Sequence, residues 1–224
     1  MTTAIILAAG KSERMGKNVD KAFLSLVDKP VVAWSLLAFE RCADIDRIVL
    51  VVRKEQQLAA KEVCRMFGIS KLDKIVSGGL KRQDSVLAGL AACDLDTRVV
   101  AIHDAARALI TSASISEVVR STKRGVSVTI GRPVTDTVKR CAATKGASVV
   151  ETLDREHLWA VQTPQAFQMR DIRAAYAALG KKEVTDDCQV VELNGGVVKI
   201  VPSLAPNFKI TTVEDLQIAA ALLK

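Results

Sequence analysis

Behind a turn of three small residues, Ala8-Ala9-Gly10, stand four cations, Lys11, Arg14, Lys17 and Lys21, against two acids, Glu13 and Asp20. Residues with almost no side chain let a ligand approach the backbone closely, and exposed amides beside convergent cations suit a polyphosphate. Two familiar phosphate loops are excluded. A Walker loop needs G-x-x-x-x-G-K-[ST], yet five residues separate Gly10 from Gly16, and Asn18 follows Lys17. Ending that motif at Gly10-Lys11-Ser12 puts Ile5 where its first glycine belongs. The dinucleotide fingerprint G-x-G-x-x-G fails because position 8 is Ala. Taken alone, the stretch also reads as a surface turn with solvated lysines.

Two further stretches carry candidate chemistry. Ser77-Gly78-Gly79 is a second glycine turn running into a helix, with Arg82 and Ser85 near its start. Gly78 and Gly79 can bring backbone groups against a base, and such groups can read the edge of a pyrimidine where a tight turn leaves little room for a purine. The bland reading is an ordinary strand–helix connection. His103-Asp104-Ala105-Ala106-Arg107 sets an acid and a cation three apart at a strand's end, with small residues between them. By itself Asp104–Arg107 also reads as a structural ion pair.

The elements that must position these residues alternate. Ile5-Ile6-Leu7 and Arg47–Val52 are short apolar runs that read as buried strands, and Lys74–Val76 and Arg98–Ile102 read as further short strands. Helices are expected from Pro30, placed in a first helical turn, through Cys42, from Lys54 to Phe67 ending at Gly68, and from Asp84 to Ala92. Strand–helix units with continuously apolar strands predict a parallel sheet covered on both faces. Ligands bind beyond the carboxyl ends of such strands, so Gly10, Gly78 and Asp104 should share one rim. After Gly131 the pattern changes. Short β-like pieces at Thr137–Lys139 and Ser148–Val150, around the turn Thr144-Lys145-Gly146, predict a hairpin arm at about 134–153. The chain re-enters the core over Leu158–Thr163, with helices near Met169–Ala178 and Asp186–Leu193 and a strand at Val197–Val201. Thr212 caps a last helix that has Asp215 in its first turn. The 224 residues are read as one α/β domain with the arm as an excursion.

Composition narrows the partners. An excess of 32 basic over 25 acidic residues, +7 in all, favours anionic ligands, but the charges are scattered rather than blocked. Aromatics at 4% and the lack of any recognition motif speak against nucleic acid. Five widely spaced cysteines without a C-x-x-C read as reduced thiols, not as a disulfide frame or zinc site, and point to the cytoplasm. The N-terminal AIILAAG lacks a basic flank and meets KSER at once, unlike a signal peptide. No run approaches the ~18 apolar residues of a membrane span.

The first stretch resembles the signature A-A-G-x-x-x-R-M-x…K of nucleotidyltransferases that activate sugars and polyols. His103–Arg107, with GG-x-x-R-x-x-S at Gly78–Ser85, narrows the resemblance to the cytidylyltransferase family acting on 2-C-methyl-D-erythritol 4-phosphate in non-mevalonate isoprenoid synthesis. Pro133–Lys139, Asp154-Arg155 with Leu158-Trp159, Thr163–Phe167, Thr185-Asp186-Asp187, and Asn207–Thr211 with Glu214–Leu216 resemble its later motifs in order. The matches extend from Ala4 to Leu216. Two positions depart. Asp20 and Ala108 stand where the family often has proline, and Asp20 adds negative charge beside the triphosphate site.

The resemblance implies a Rossmann-like three-layer α/β/α sandwich with a mostly parallel sheet and a protruding β-hairpin arm. It implies transfer of CMP from CTP to the methylerythritol phosphate with release of pyrophosphate. Arg14 and Lys21 would neutralise triphosphate charge, and Arg155 and Lys209 would align the acceptor phosphate. Ala8, Ala9, Gly10, Gly79, Arg82, Ser85 and Ala105 would hold the nucleotide; Asp104, Arg107, Thr137, Thr163 and Thr185 the acceptor. Mg²⁺ would accompany CTP, held mainly by its phosphates, and no residue is assigned as a metal ligand. His103 is read as structural. The arm would embrace a second subunit in a homodimer. Two alternatives stand beside this reading, a ribitol 5-phosphate cytidylyltransferase and a non-catalytic nucleotide-binding regulator.

Overall fold

The computed structural model describes residues 1–10, 20–143, 148–203 and 205–223. Arg14, the other residues of 11–19 and the expected turn at Thr144-Lys145-Gly146 lie outside them. The chain runs β1 (Thr2–Leu7), β2 (Ser25–Leu26), β3 (Lys29–Pro30), α1 (Val31–Glu40), β4 (Arg47–Val52), α2 (Gln57–Met66), β5 (Leu72–Ser77), α3 (Arg82–Ala92) and β6 (Val99–Asp104). There follow α4 (Ser112–Ser121), β7 (Val126–Pro133), β8 (Lys139–Cys141), β9 (Val149–Thr152), β10 (Trp159–Gln168), α5 (Met169–Leu179), α6 (Asp187–Leu193), β11 (Val197–Pro202) and α7 (Val213–Leu222).

Seven strands form one sheet in the order β11-β7-β10-β6-β1-β4-β5. All are parallel except β10, which runs antiparallel to both β6 and β7. The expected mostly parallel sheet is therefore present. Successive strand residues face opposite sides, so neighbouring isoleucines divide between two cores. Ile6, Leu50 and Ala101 pack with Leu36, Phe39 and Ile115 from α1 and α4. Ile5, Val49, Val51 and Ile102 pack with Val86 and Leu90 of α3 and Ile172 of α5. Helices on both faces of the sheet make three layers. A smaller cluster of Leu26, Val31, Ala108, Leu109, Ile210 and Ala219 ties the C-terminal segment over the sheet's end.

Several boundaries differ from the sequence reading. Pro30 precedes the helix at its N-cap, with ψ 147, and pairs with Ser25; α1 begins at Val31. The arm's strands lie at Lys139–Cys141 and Val149–Thr152, two residues beyond the first predicted piece, because Arg140 pairs with Glu151 and Lys139 Nζ donates to Thr152 Oγ1 at 2.6 Å. Trp159 and Val161 are still exposed, and β10 becomes buried only from Gln162. The elements α4 and β7 have no counterpart in the sequence reading. Thr111 caps α4 by accepting from Ser114 N at 3.2 Å. Thr212 and Asp215 form the expected start of α7, reciprocally capped.

Candidate active site

Strands β1, β4, β5 and β6 end on one edge of the sheet. The chain passes from β1 outward to β4 and β5 and then returns to β6 on the other side of β1. Such a reversal opens a crevice at the carboxyl ends. A cavity of about 630 Å³ occupies it, and Gly10, Gly78 and Asp104 all line it, as the expected common rim requires. Ala9 and Gly79 line it too.

The two glycine turns touch. A Cβ on Gly78 would lie 2.5 Å from Ala9 Cβ and 2.6 Å from Ser85 Oγ, so only glycine lets the turn after β5 rest against the turn after β1. A Cβ on Gly79 would lie 2.3 Å from Asp84 Cβ. Ser85 Oγ accepts from Gly79 N at 3.2 Å and is thereby fixed at the cavity wall. Asp84 accepts from Lys81 N at 3.0 Å and starts α3, whose first turn faces the cavity with Arg82. Helix N-termini of this kind favour anions.

Arg82 and Lys209 converge on Asp104 from distant parts of the chain. Arg82 Nε lies 3.2 Å from Asp104 Oδ1, and Lys209 Nζ 2.7 Å from Oδ2. Burial by itself would raise the Asp104 pKa, but Arg82 and then Lys209 outweigh it and hold the carboxyl well below the usual range. Burial likewise opposes the Arg82 charge, and Asp187 and Asp104 reverse that effect and raise its pKa. Asp187 is wholly buried and lies 2.8 Å from Arg82 Nη2 by charge rather than hydrogen-bond alignment. It accepts from Tyr176 Oη at 2.6 Å, and its backbone N donates to Gln165 Oε1 at 3.1 Å. Arg82 is thus anchored from below and presented from above.

The segment bearing Lys209 is strapped across β6. Ile210 N donates to Ala106 O at 2.8 Å, and Asn207 Nδ2 donates to Thr163 O at 2.9 Å. Arg107 Nη1 donates to Asn207 O at 2.9 Å. Arg107 therefore serves this strap, and the ion pair weighed for Asp104–Arg107 is replaced by Asp104 pairing with Arg82 and Lys209. Sequence adjacency suggested the nearer cation; the strap and α3 bring the other two closer.

His103 is fully buried beside Phe39, with ring centroids 5.0 Å apart, and its Nδ1 lies 3.0 Å from Thr163 Oγ1. Burial lowers its pKa to about 3, so the imidazole is neutral. Thr163 also accepts from Asp104 N at 3.0 Å, and the register of β10 shifts between Val161 and Gln165 around it. The hydroxyl braces the end of β6.

Lys21 lines the cavity in a short 3₁₀ turn, Lys21–Phe23, capped by Asp20. The Asp20 carboxylate, expected to add bare negative charge beside the site, is paired with Arg53 Nη2 at 2.7 Å. Ala108, the other departure, is buried in the small cluster with Leu26 and Ile210.

The remaining expected residues fall elsewhere. Ala8 and Ala105 are buried beneath the cavity, and their amides are occupied by Val51 O at 2.7 Å and Leu7 O at 3.0 Å. Thr185 is exposed, and its N and Oγ1 both donate to Gln189 Oε1. Thr137 and Arg155 are exposed at the arm, where Arg155 Nη1 donates to Thr135 O. None of these three lines the cavity of its own chain. Sequence reasoning missed Arg53 and Asp187. Arg53 directly follows a strand ending on the ligand rim, a signal that could have found it. Asp187 lies in a quoted motif, but spacing alone does not say which of two adjacent acids turns inward.

The family model for IspD, 2-C-methyl-D-erythritol 4-phosphate cytidylyltransferase, matches residues 2–224. The 2-C-methyl-D-erythritol 4-phosphate cytidylyltransferase of Pelotomaculum thermopropionicum is 43% identical over 224 residues, covering 99% of this chain and 93% of that protein. That of Dehalococcoides mccartyi is 44% identical over 222 residues, covering 99% and 95%. Among solved structures, the 4-diphosphocytidyl-2C-methyl-D-erythritol synthase of Anaerococcus prevotii is similar with a TM-score of 0.84 and 29% identity, over 99% of this chain and 95% of that one. The cytidylyltransferase from Thermus thermophilus is similar with a TM-score of 0.78 and 28% identity, over 98% and 97%.

Proposed function

The chain belongs to the 2-C-methyl-D-erythritol 4-phosphate cytidylyltransferase family, and from that premise we propose how its cavity performs the reaction. The enzyme transfers CMP from CTP to 2-C-methyl-D-erythritol 4-phosphate, giving 4-(cytidine 5′-diphospho)-2-C-methyl-D-erythritol and pyrophosphate. The relatives named above carry 2-C-methyl-D-erythritol in their names, and neither ribitol 5-phosphate nor a non-catalytic role is taken further.

The observation that carries the mechanism is the meeting of two glycine turns with Lys21, Arg82 and Lys209 around one cavity. Gly10, Gly79 and Ser85 hold the nucleotide, and the acceptor phosphate attacks the α-phosphorus in line as pyrophosphate leaves. A phosphate monoester has a second pKa near ~6 and is already largely dianionic at neutral pH, so no general base is needed. The chain's own contribution is positioning and charge stabilisation. Lys21, with Arg14, stabilises charge on the triphosphate and on the leaving pyrophosphate. Asp104 holds Lys209 and Arg82 on either side of the acceptor's path.

Among the described residues, the carboxylates lining the cavity are Glu55 and Asp104, which face Arg53 and the Arg82–Lys209 pair respectively. These pairings support a reading in which Mg²⁺ would enter with CTP, held mainly by its phosphates. When bound, it neutralises phosphate charge.

We further read the chain as one domain whose arm embraces a second copy. Supporting this, Thr137 and Arg155 lie outside their own chain's cavity, as residues serving a neighbour's site would. Free cysteines support a cytoplasmic setting, and no helix among the described residues is long and apolar enough to cross a membrane. Incubation with CTP, Mg²⁺ and each polyol phosphate, with pyrophosphate measured, tests the function. Release with the methylerythritol phosphate and not with ribitol 5-phosphate is expected; release with neither overturns it.

A further inference from the structure

We propose that the Asp20–Arg53 ion pair is a positioning device for Lys21, fixing the turn that carries this lysine to the end of β4. The inference rests on reading the cavity as the CTP site. The Asp20 side chain is only 8% exposed. It accepts from Arg53 Nη2 at 2.7 Å and from Ala22 N at 3.2 Å, so one carboxylate both caps the turn and ties it to the sheet. On the far side of the lysine, Ala22 is buried in the main core, and Leu24 O accepts from Val31 N at 3.0 Å, joining the turn to α1. Lys21 thus stands between two anchors. Its stem has four flexible carbons, and fixing its base reduces what must be ordered when a polyphosphate arrives.

Arg53 itself is poorly suited to hold phosphate. Its guanidinium faces two carboxylates, Asp20 and Glu55, the latter at 3.3 Å, and its Nε is buried without a partner. An arginine neutralised in this way offers a polyphosphate little net charge, and its remaining role is structural support of the turn. The pair supplies by charge the stiffness that a proline at position 20 would supply by its ring.

Kinetics of Asp20→Asn, Arg53→Gln, the double variant and Arg53→Lys test the proposal. Both single variants should lose roughly ten- to a hundredfold in kcat, the scale for a misplaced catalytic group, with KM for CTP nearly unchanged. The double variant should be no worse than either single one, and Arg53→Lys should recover part of the loss. If Asp20→Asn lowers KM with kcat intact, the carboxylate merely repels the triphosphate and the proposal fails. If Arg53→Gln raises KM with kcat intact, Arg53 holds phosphate directly and the proposal fails equally. Hydrogen exchange of the peptide spanning Asp20–Leu24 needs no turnover. It should quicken in Arg53→Gln while β4 stays protected, and unchanged exchange overturns the device whatever the activity. A wild-type chain inactive toward CTP and the methylerythritol phosphate sinks the functional reading alone, and the exchange experiment then decides the ion pair's role.

Discussion

At the scale of single residues, the proposed mechanism makes catalysis depend on charges fixed before substrate arrives. Lys21→Ala and Arg14→Ala are each expected to lower kcat by roughly 10²–10³, the range for losing one preorganised charge-stabilising group. Near-normal turnover in either folded variant removes that residue from the catalytic set. His103 makes a different prediction, about pH. Its folded pKa is lowered to about 3 from 6.5 by burial. In that window the unfolded chain binds the proton and the folded chain does not, so stability rises with pH and is lost as pH falls. Asp104 acts lower. Its depressed carboxyl contributes stability that is complete above about pH 4 and fades below it. His103→Asn should therefore flatten the dependence of urea midpoint on pH between about 6.5 and 4.5. An undiminished slope in the variant assigns the effect to other groups. A structural His103 was legible in the sequence, where no His–carboxylate base pair stood out. The buried ring packing that makes it neutral was not.

Among elements, α3 is placed closely on the sheet. A Cβ on Gly89 would lie 2.5 Å from Ile5 Cγ2 and 3.3 Å from Val51 Cγ2, so this glycine lets the helix lie directly on β1 and β4. Gly89→Val should cost about 1–3 kcal/mol through overpacking, measurable as a lower denaturation midpoint. It should also disturb the site, because the same helix begins with Arg82 and Ser85 on the cavity wall. An unchanged midpoint means that α3 can shift off the sheet freely. The Gly78–Gly79 turn before α3 is expected to give a preference for CTP over GTP and ATP. Equal kcat/KM for a purine triphosphate removes that turn from base recognition.

For the whole molecule, the proposed dimer rests on the arm. Paired strands β8 and β9 are short and mostly exposed, with Val149 and Val150 facing solvent in the single chain, and an isolated two-stranded hairpin is marginal in water. A two-fold dimer whose sites each draw Lys21 from one chain and Arg155 from the other gives a sharp test. Lys21→Ala and Arg155→Ala chains, each inactive alone, are mixed and allowed to exchange. About half the dimers are then mixed, each with one intact site of two, and roughly a quarter of wild-type activity should return. No recovery in a population proven to have exchanged places both residues in one chain's site.

Local sequence determined the sheet's interior and the type of site. Strands β1, β4 and β6 were legible because a parallel strand buried on both faces must be apolar throughout, whereas β5, at the sheet's edge and without a buried residue, showed only its Ile75-Val76 pair. The glycine turns were legible because close backbone approach leaves few other residue types. The motif resemblance supplied the family and the reaction. Tertiary structure alone decided which charges meet. Asp104 finds Arg82 at a separation of 22 residues and Lys209 at 105. Asp20 finds Arg53 at 33. It also decided that β10 enters antiparallel between β6 and β7 and brings Thr163 beneath Asp104. The cause is physical. Periodicity and turn chemistry act over a few residues, whereas an ion pair forms wherever strand order brings two chain segments to the same rim.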